Sequence, residues 1–287
     1  MTSPIIPFIA IIVAMFSIQF GAASAKQLFL EVPALTVTMM RLSLASAMLM
    51  LLWRPFKERL NLAQLKALTL YGLSLVFMNL TFYLAIERIS LGLAVALEFT
   101  GPLALALFCS RKKIDFLWAI MAGVGIVLIS PLADTSSVDL LGVFFALCAA
   151  MFWTFYIISG HRVVRIMHEG HAAAFGMSIG ALAILPLALL GGAYQSMSWD
   201  ILPQALVIAL FSSAIPYSLE ILALKHLSKL SFGILMSLEP AIAAFMGFIR
   251  LDERLSIMQI LASVLIVTAS LGTSFSGIKS ASKSQAL

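Results

Sequence analysis

The chain has 287 residues, 62 % hydrophobic and 11 % charged, with 18 Lys and Arg against 13 Asp and Glu and a mean hydropathy of +1.07. A water-facing domain is about 45–50 % apolar and about 25 % charged, so this chain lacks the polar surface to cover a soluble core, which excludes an ordinary cytosolic enzyme. Its net charge of +5 is spread over short loops rather than gathered in a patch, which leaves nucleic-acid binding unsupported.

Apolar runs long enough to cross ~30 Å of hydrocarbon predict an all-α integral membrane fold of ten transmembrane helices. In chain order they are Pro4 to Ser24, Pro33 to Trp53, Lys66 to Ile86, Ile89 to Ser110, Asp115 to Leu132, Asp139 to Ser159, Ala172 to Gly192, Pro203 to Leu224, Leu230 to Arg250 and Ser256 to Phe275. The first run ends in Ala23-Ser24-Ala25, similar to a signal-peptidase site, but it is too long and has no basic lead, so it reads as a retained helix. Cys109 and Cys148 fall inside apolar runs and read as packing residues. Trp53, Trp118 and Trp199 fall near span ends, where interfacial aromatics are expected; Trp153 does not. Gly176 and Gly180 in the seventh span read as a close helix contact or as the face of a homodimer. The breaks between runs are too short for a soluble domain, so any chemistry must sit within the bundle.

Lys and Arg alternate between the two ends of this plan. Thirteen fall in the even-numbered loops and the tail, from Arg54 to Lys283, against Lys26, Arg88, Arg250 and Arg254 on the other side and Arg41 inside a span. The positive-inside rule then places both termini in the cytoplasm.

The two halves resemble each other. Shifting Thr81 to Pro102 onto Leu219 to Pro240 aligns Leu84 with Leu222, Ala85 with Ala223, Ser90 with Ser228, Leu97 with Leu235 and Pro102 with Pro240. A similar shift lays Ala14-Met15-Phe16 over Ala150-Met151-Phe152. A repeat of five helices, an odd number, enters the membrane from opposite sides, giving two inverted five-helix units, residues 1–132 and 139–275, and a cytoplasmic tail, 276–287. The plainer reading is that similar apolar helices look alike.

A charge at the centre of a span costs roughly 2.5–3.5 kcal/mol and so needs a partner or a function. Arg41 lies about 12 Å into its span at ~1.5 Å per residue, and Glu98 and Glu239 lie equally deep, whereas Glu220 sits near a helix end. Glu98 precedes Phe99-Thr100-Gly101-Pro102 and Glu239 directly precedes Pro240, so each carboxylate stands where proline removes a backbone donor. Interrupted helices at matching positions of two halves point to a transport site, where a buried carboxyl binds an amine or exchanges protons. A structural pair with Arg41 is the alternative. Gln19, Asn79, Tyr83, Thr100, Trp153, Tyr156 and Tyr217 are candidates to line the same cavity, with interhelical hydrogen bonding as the alternative for each.

His168-Glu169-Gly170-His171 has the wrong spacing for a zinc helix and reads as a solvated loop; no metal or cofactor is expected. Walker A, dinucleotide and nucleophile-elbow motifs are absent, and no catalytic dyad is visible at mid-depth.

Gly92 to Phe108 (GLAVALEFTGPLALALF), Asp139 to Gly160 (DLLGVFFALCAAMFWTFYIISG) and Pro216 to Ile249 (PYSLEILALKHLSKLSFGILMSLEPAIAAFMGFI) resemble the EamA-type drug/metabolite transporter superfamily, and within it the bacterial inner-membrane threonine and homoserine exporter branch. The resemblance covers nearly all ten spans; LEFTGP and SLEPA are its most specific strings. It implies inverted five-helix repeats, a central cavity and proton-driven export of small amphiphilic solutes, and it points to Glu98 through Pro102, Glu220 and Glu239-Pro240. A zwitterionic amino acid suits the charges: Glu98 or Glu239 for its ammonium, Arg41 or a helix end for its carboxylate. The alternatives are a broader metabolite or drug exporter, or, from another class, a lipid flippase subunit or an intramembrane lipid-modifying enzyme.

Overall fold

The computed structural model describes residues 5–109, 113–129, 139–226, 236 and 238–284. Among them there is no β-strand; the helices are α1 (Ile5–Leu28), α2 (Ala34–Trp53), α3 (Leu62–Ile86), α4 (Leu91–Glu98), α5 (Thr100–Cys109), α6 (Lys113–Ile129), α7 (Leu140–Val163), α8 (Glu169–Leu190), α9 (Leu202–Ala209), α10 (Ile215–His226), α11 (Glu239–Leu251) and α12 (Ile257–Ser284). Six helical stretches, Ile6–Leu28, Ala34–Trp53, Leu62–Ile86, Leu140–Val163, Glu169–Leu190 and Leu202–Glu220, are long and apolar enough to cross a membrane. Shorter apolar helices cover Leu91–Leu105, Phe116–Gly125 and Ile257–Ala269.

Local signals set several boundaries. Asn61 and Gln64 form a reciprocal capping box at the start of α3, and the Asp139 carboxylate accepts from the N–H groups of Leu141 and Gly142 to start α7. His168 caps α8 by accepting from the N–H of Gly170, so this histidine of the loop motif has a structural job. The expected span Ile89 to Ser110 is divided into α4 and α5 at Phe99, and a single π-helical turn, Leu210–Ala214, joins α9 to α10. The first half of the ninth span and the aligned Ser228 and Leu235 lie outside the described residues. The final helix continues past the end of the apolar run at Phe275, to Ser284.

The principal packing pairs are α3 with α7 and α8, α2 with α8 and α9, α1 with α10 and α11, α4 with α7 and α11, and α6 with α12. Gly176 and Gly180 lie against Tyr71 and Gly72 of α3: a Cβ on Gly176 would fall on the Tyr71 ring, and one on Gly180 would lie 3.3 Å from the Gly72 carbonyl. The small-residue face is therefore a contact within the chain, and it offers no dimer surface.

Contacts between loops define two ends of the bundle. At one, Lys26 Nζ pairs with Glu253 Oε1 at 2.6 Å and donates to the Ile89 carbonyl, while Glu253 Oε2 accepts from the Leu91 N–H at 2.8 Å. Glu253 thus caps α4 in place of Ser90, whose side chain makes no cap bond. Arg88 pairs with Asp139 at 3.0 Å on the same end. At the other end His171 meets Glu58 at 2.8 Å, and Gln64 donates to the Ile166 carbonyl.

Candidate functional site

Proline chemistry builds the centre of the site. Pro216 has no N–H, so neither the Ser212 carbonyl four residues earlier nor the Phe211 carbonyl five earlier receives a helical hydrogen bond from it. Side chains of other helices satisfy both: Ser17 Oγ of α1 donates to the Phe211 carbonyl at 2.7 Å, and Arg41 Nη2 of α2 donates to the Ser212 carbonyl at 3.0 Å. Arg41 Nε donates to Ser213 Oγ at 3.0 Å, and its guanidinium lies over the Tyr83 ring at 5.0 Å. Gly21 permits the approach of α1, because a Cβ there would collide with Ser212. Arg41 is only 2 % exposed, and its charge is held by a carbonyl, a hydroxyl and an aromatic face. Among the described residues it makes no ion pair with a carboxylate, so the structural pair weighed from the sequence does not form at contact distance.

The carboxylates come from two further helix ends. Glu239 is the first residue of α11, with Pro240 in its first turn, where a missing N–H costs nothing and the helix dipole favours negative charge. It is buried, and its Oε1 accepts from Gln19 Nε2 at 3.1 Å. Glu98 ends α4, Pro102 lies in the first turn of α5, and Glu98 stands within electrostatic reach of both Glu239 and Arg41. The α4–α5 joint sits directly on α7: a Cβ on Gly101 would strike the Ala150 carbonyl, and Phe99 packs edge-on against Trp153 at 5.1 Å.

Gln19 Oε1, Tyr83 Oη, Ser212 Oγ and Glu239 Oε2 are buried without a hydrogen-bond partner. Native interiors pair nearly all such atoms, so four around one arginine and one carboxylate mark a place where a polar ligand or water completes the bonding.

A second polar group continues from this centre toward the end that carries Glu58 and His171. Tyr217 is buried and lies within electrostatic reach of Arg41 and Glu98, while Asn79 Nδ2 donates to the Leu75 carbonyl of its own helix at 2.7 Å. Tyr156 is 6.4 Å from Tyr217, and its ring stacks on Tyr71 at 5.0 Å with the hydroxyls 3.3 Å apart. Glu220 is in electrostatic reach of Glu239 and of all three tyrosines.

Of the residues singled out from the sequence, Gln19, Arg41, Tyr83, Glu98 and Glu239 converge at the centre, Tyr156, Tyr217 and Glu220 lie in its continuation, and Asn79 bonds back to its own helix. Trp153 buttresses the joint, and Pro102 and Pro240 start helices. Thr100 instead turns its hydroxyl across the joint to the Leu97 carbonyl near the end of α4 at 2.6 Å. Ser17, Tyr71, Ser212 and Ser213 escaped sequence reasoning; Pro216, inside an apolar span, was the available signal for three of them.

Among known proteins, the model of the EamA-like transporter family matches residues 140–275. The chain is 44 % identical over 269 residues to the threonine/homoserine exporter RhtA of Escherichia coli (strain K12), covering 93 % of this chain and 91 % of that protein. RhtA of Salmonella typhimurium (strain LT2) matches with the same identity and coverage. An uncharacterized transporter of Methanothermobacter thermautotrophicus is 26 % identical over 158 residues, 54 % of this chain and 46 % of its own. A protein solved by crystallography superposes with a TM-score of 0.60 at 16 % identity, over 92 % of this chain and 95 % of that one, a likeness of fold alone.

Proposed function

This chain belongs to the EamA-like transporter family and is a multi-pass membrane transporter rather than an enzyme, and from that premise we propose that it exports threonine, homoserine and related small amino acids across the bacterial inner membrane. The observation that carries the substrate class is the 44 % identity to threonine/homoserine exporters along 93 % of the chain.

In this reading the chain forms ten transmembrane helices in two inverted units, 1–132 and 139–275, with both termini cytoplasmic. The packing supports it. Numbering the spans so that α4–α5 is the fourth, α9–α10 the eighth, α11 the ninth and α12 the tenth, exchange of spans one to five with six to ten carries most of the principal pairs onto one another, while the packing of the fourth span on the tenth has no counterpart between the fifth and the ninth among the described residues. The pairs 2·7, 4·9 and 5·10 map onto themselves, and 1·8 maps onto 3·6, 2·8 onto 3·7, and 1·9 onto 4·6. An inverted repeat brings its half-helix ends together at the midplane. Here the end of α4 and the start of α11 supply Glu98 and Glu239.

The central cluster then takes the substrate as a zwitterion. Glu239 and Glu98 accept its ammonium, and Arg41, with the Tyr83 and Ser212 hydroxyls, receives its carboxylate and side-chain hydroxyl. Rocking of one unit against the other exposes the cluster to each side in turn, and protonation of a central carboxyl couples release to the proton gradient. Growth of a threonine-sensitive strain on inhibitory threonine or homoserine, with efflux of the labelled amino acid, tests the reading. Resistance with faster efflux is the expected result; no change despite membrane insertion overturns the substrate class.

A further inference from the structure

An open cleft of about 400 Å³ lies at the end of the bundle that carries the Lys26–Glu253 pair, between the end of α1, the start of α9 and the end of α11, with Glu31 and Arg250 exposed in its walls. Its volume lies in the range of small-molecule sites. Phe20, Gln27, Glu31, Gln204 and Arg250 are among its lining residues, so a cation and an anion share one cavity. Among the described residues, neither the Arg250 guanidinium nor the Glu31 carboxylate makes an ion pair or a hydrogen bond. Arg250 is positioned all the same: its guanidinium lies over the Phe20 ring at 4.8 Å, and its backbone carbonyl accepts from Gln27 Nε2 at 2.7 Å.

Phe20 lines this cavity and also borders the central cluster. It follows Gln19, the partner of Glu239, and packs edge-on at 5.1 Å against Phe211, the residue of the π turn whose carbonyl Ser17 satisfies.

We propose that this cavity is a second binding site for the amino acid, on its way out, with Arg250 holding the α-carboxylate and Glu31 the ammonium. The inference rests on the export reading above. A planar guanidinium fixed on an aromatic face offers a fork that matches a carboxylate, and an acid in the same cavity selects for a zwitterion over a simple anion. A phosphatidylethanolamine headgroup carries the same pair of charges, so the test separates the two sources.

Equilibrium binding of labelled homoserine to the full-length protein in detergent, with and without added phosphatidylethanolamine, counts the sites. Two per chain are expected: Glu239→Gln removes one, and Arg250→Gln or Glu31→Gln removes the other. In proteoliposomes, Arg250→Gln raises KM at least ~10-fold for homoserine presented at this end, Arg250→Lys recovers part of the loss, and KM from the opposite face stays at the wild-type value. A single wild-type site abolished by Glu239→Gln, wild-type kinetics in both Arg250→Gln and Glu31→Gln, or displacement of the second homoserine by phosphatidylethanolamine overturns the exit site and leaves the export reading standing. A wild-type protein that neither binds nor moves threonine or homoserine overturns the export reading, and the exit site falls with it.

Discussion

Glu239 enters the bundle with one carboxylate oxygen on Gln19 and the other unpaired. Glu239→Gln preserves the volume and removes only the charge. In the reading proposed here, it lowers efflux at least ~10-fold, about 1.4 kcal/mol of lost transition-state binding, with membrane abundance unchanged on an immunoblot. Glu98→Gln is expected to do the same and also to abolish stimulation of efflux by a proton gradient; normal transport in both variants excludes these carboxylates from the site. Arg41 offers a different test. Lysine cannot reproduce both fork bonds and the stacking on Tyr83, so Arg41→Lys is expected to lower thermal stability by about 1–3 kcal/mol, measured by thermal unfolding of the purified protein in detergent. The charged members of the centre are legible in the sequence because each breaks the rule of an apolar span. Its serines are not, because a helical serine ordinarily bonds its own backbone: Ser24, Ser74 and Ser159 donate to the carbonyls of Phe20, Leu70 and Phe155, whereas Ser17 crosses to another helix.

At the scale of the helix, the π turn at Leu210–Ala214 is the element on which the site depends. Pro216→Ala restores the missing N–H, which draws the Phe211 and Ser212 carbonyls back into the helix and away from Ser17 and Arg41. The expected outcome is a folded protein with unchanged or raised melting temperature and reduced efflux; a variant with full activity shows that the turn is incidental. The α4–α5 joint has no such tolerance. A side chain at Gly101 meets backbone rather than a yielding side chain, so Gly101→Val is expected to cost about 1–3 kcal/mol or more and to show as reduced membrane abundance. An interruption of the apolar run Ile89 to Ser110 at Glu98 to Pro102 was legible, but its form was not, because a proline in an apolar run either kinks a helix or starts a new one and packing on α7 decides which.

Across the whole molecule, few bonds tie the loops together at the Lys26 end. Lys26 and Glu253 tie α1 to the turns before α4 and α12, with side chains 20 % and 14 % exposed, so the pair is partly shielded from solvent screening. In the reading proposed here, alternating access requires these bonds to break. Glu253→Gln is therefore expected to raise the labelling rate of a cysteine placed at Ile208, a buried residue lining the cavity at that end, and to shift the protein toward the state open there; an unchanged rate excludes the pair as a closure. Membrane class, the apolar spans and the misplaced charges followed from the sequence by itself, because hydrocarbon judges each segment by its own composition and charges any intruding ion heavily. Tertiary structure alone decided where those charges find partners. Arg41 goes to Ser212 and Ser213, some 170 residues away, rather than to a carboxylate, and Gly176 and Gly180 face α3 rather than a second chain. Helices that are apolar on every side carry no local mark of which face meets which neighbour, so those pairings arise only when the whole bundle packs.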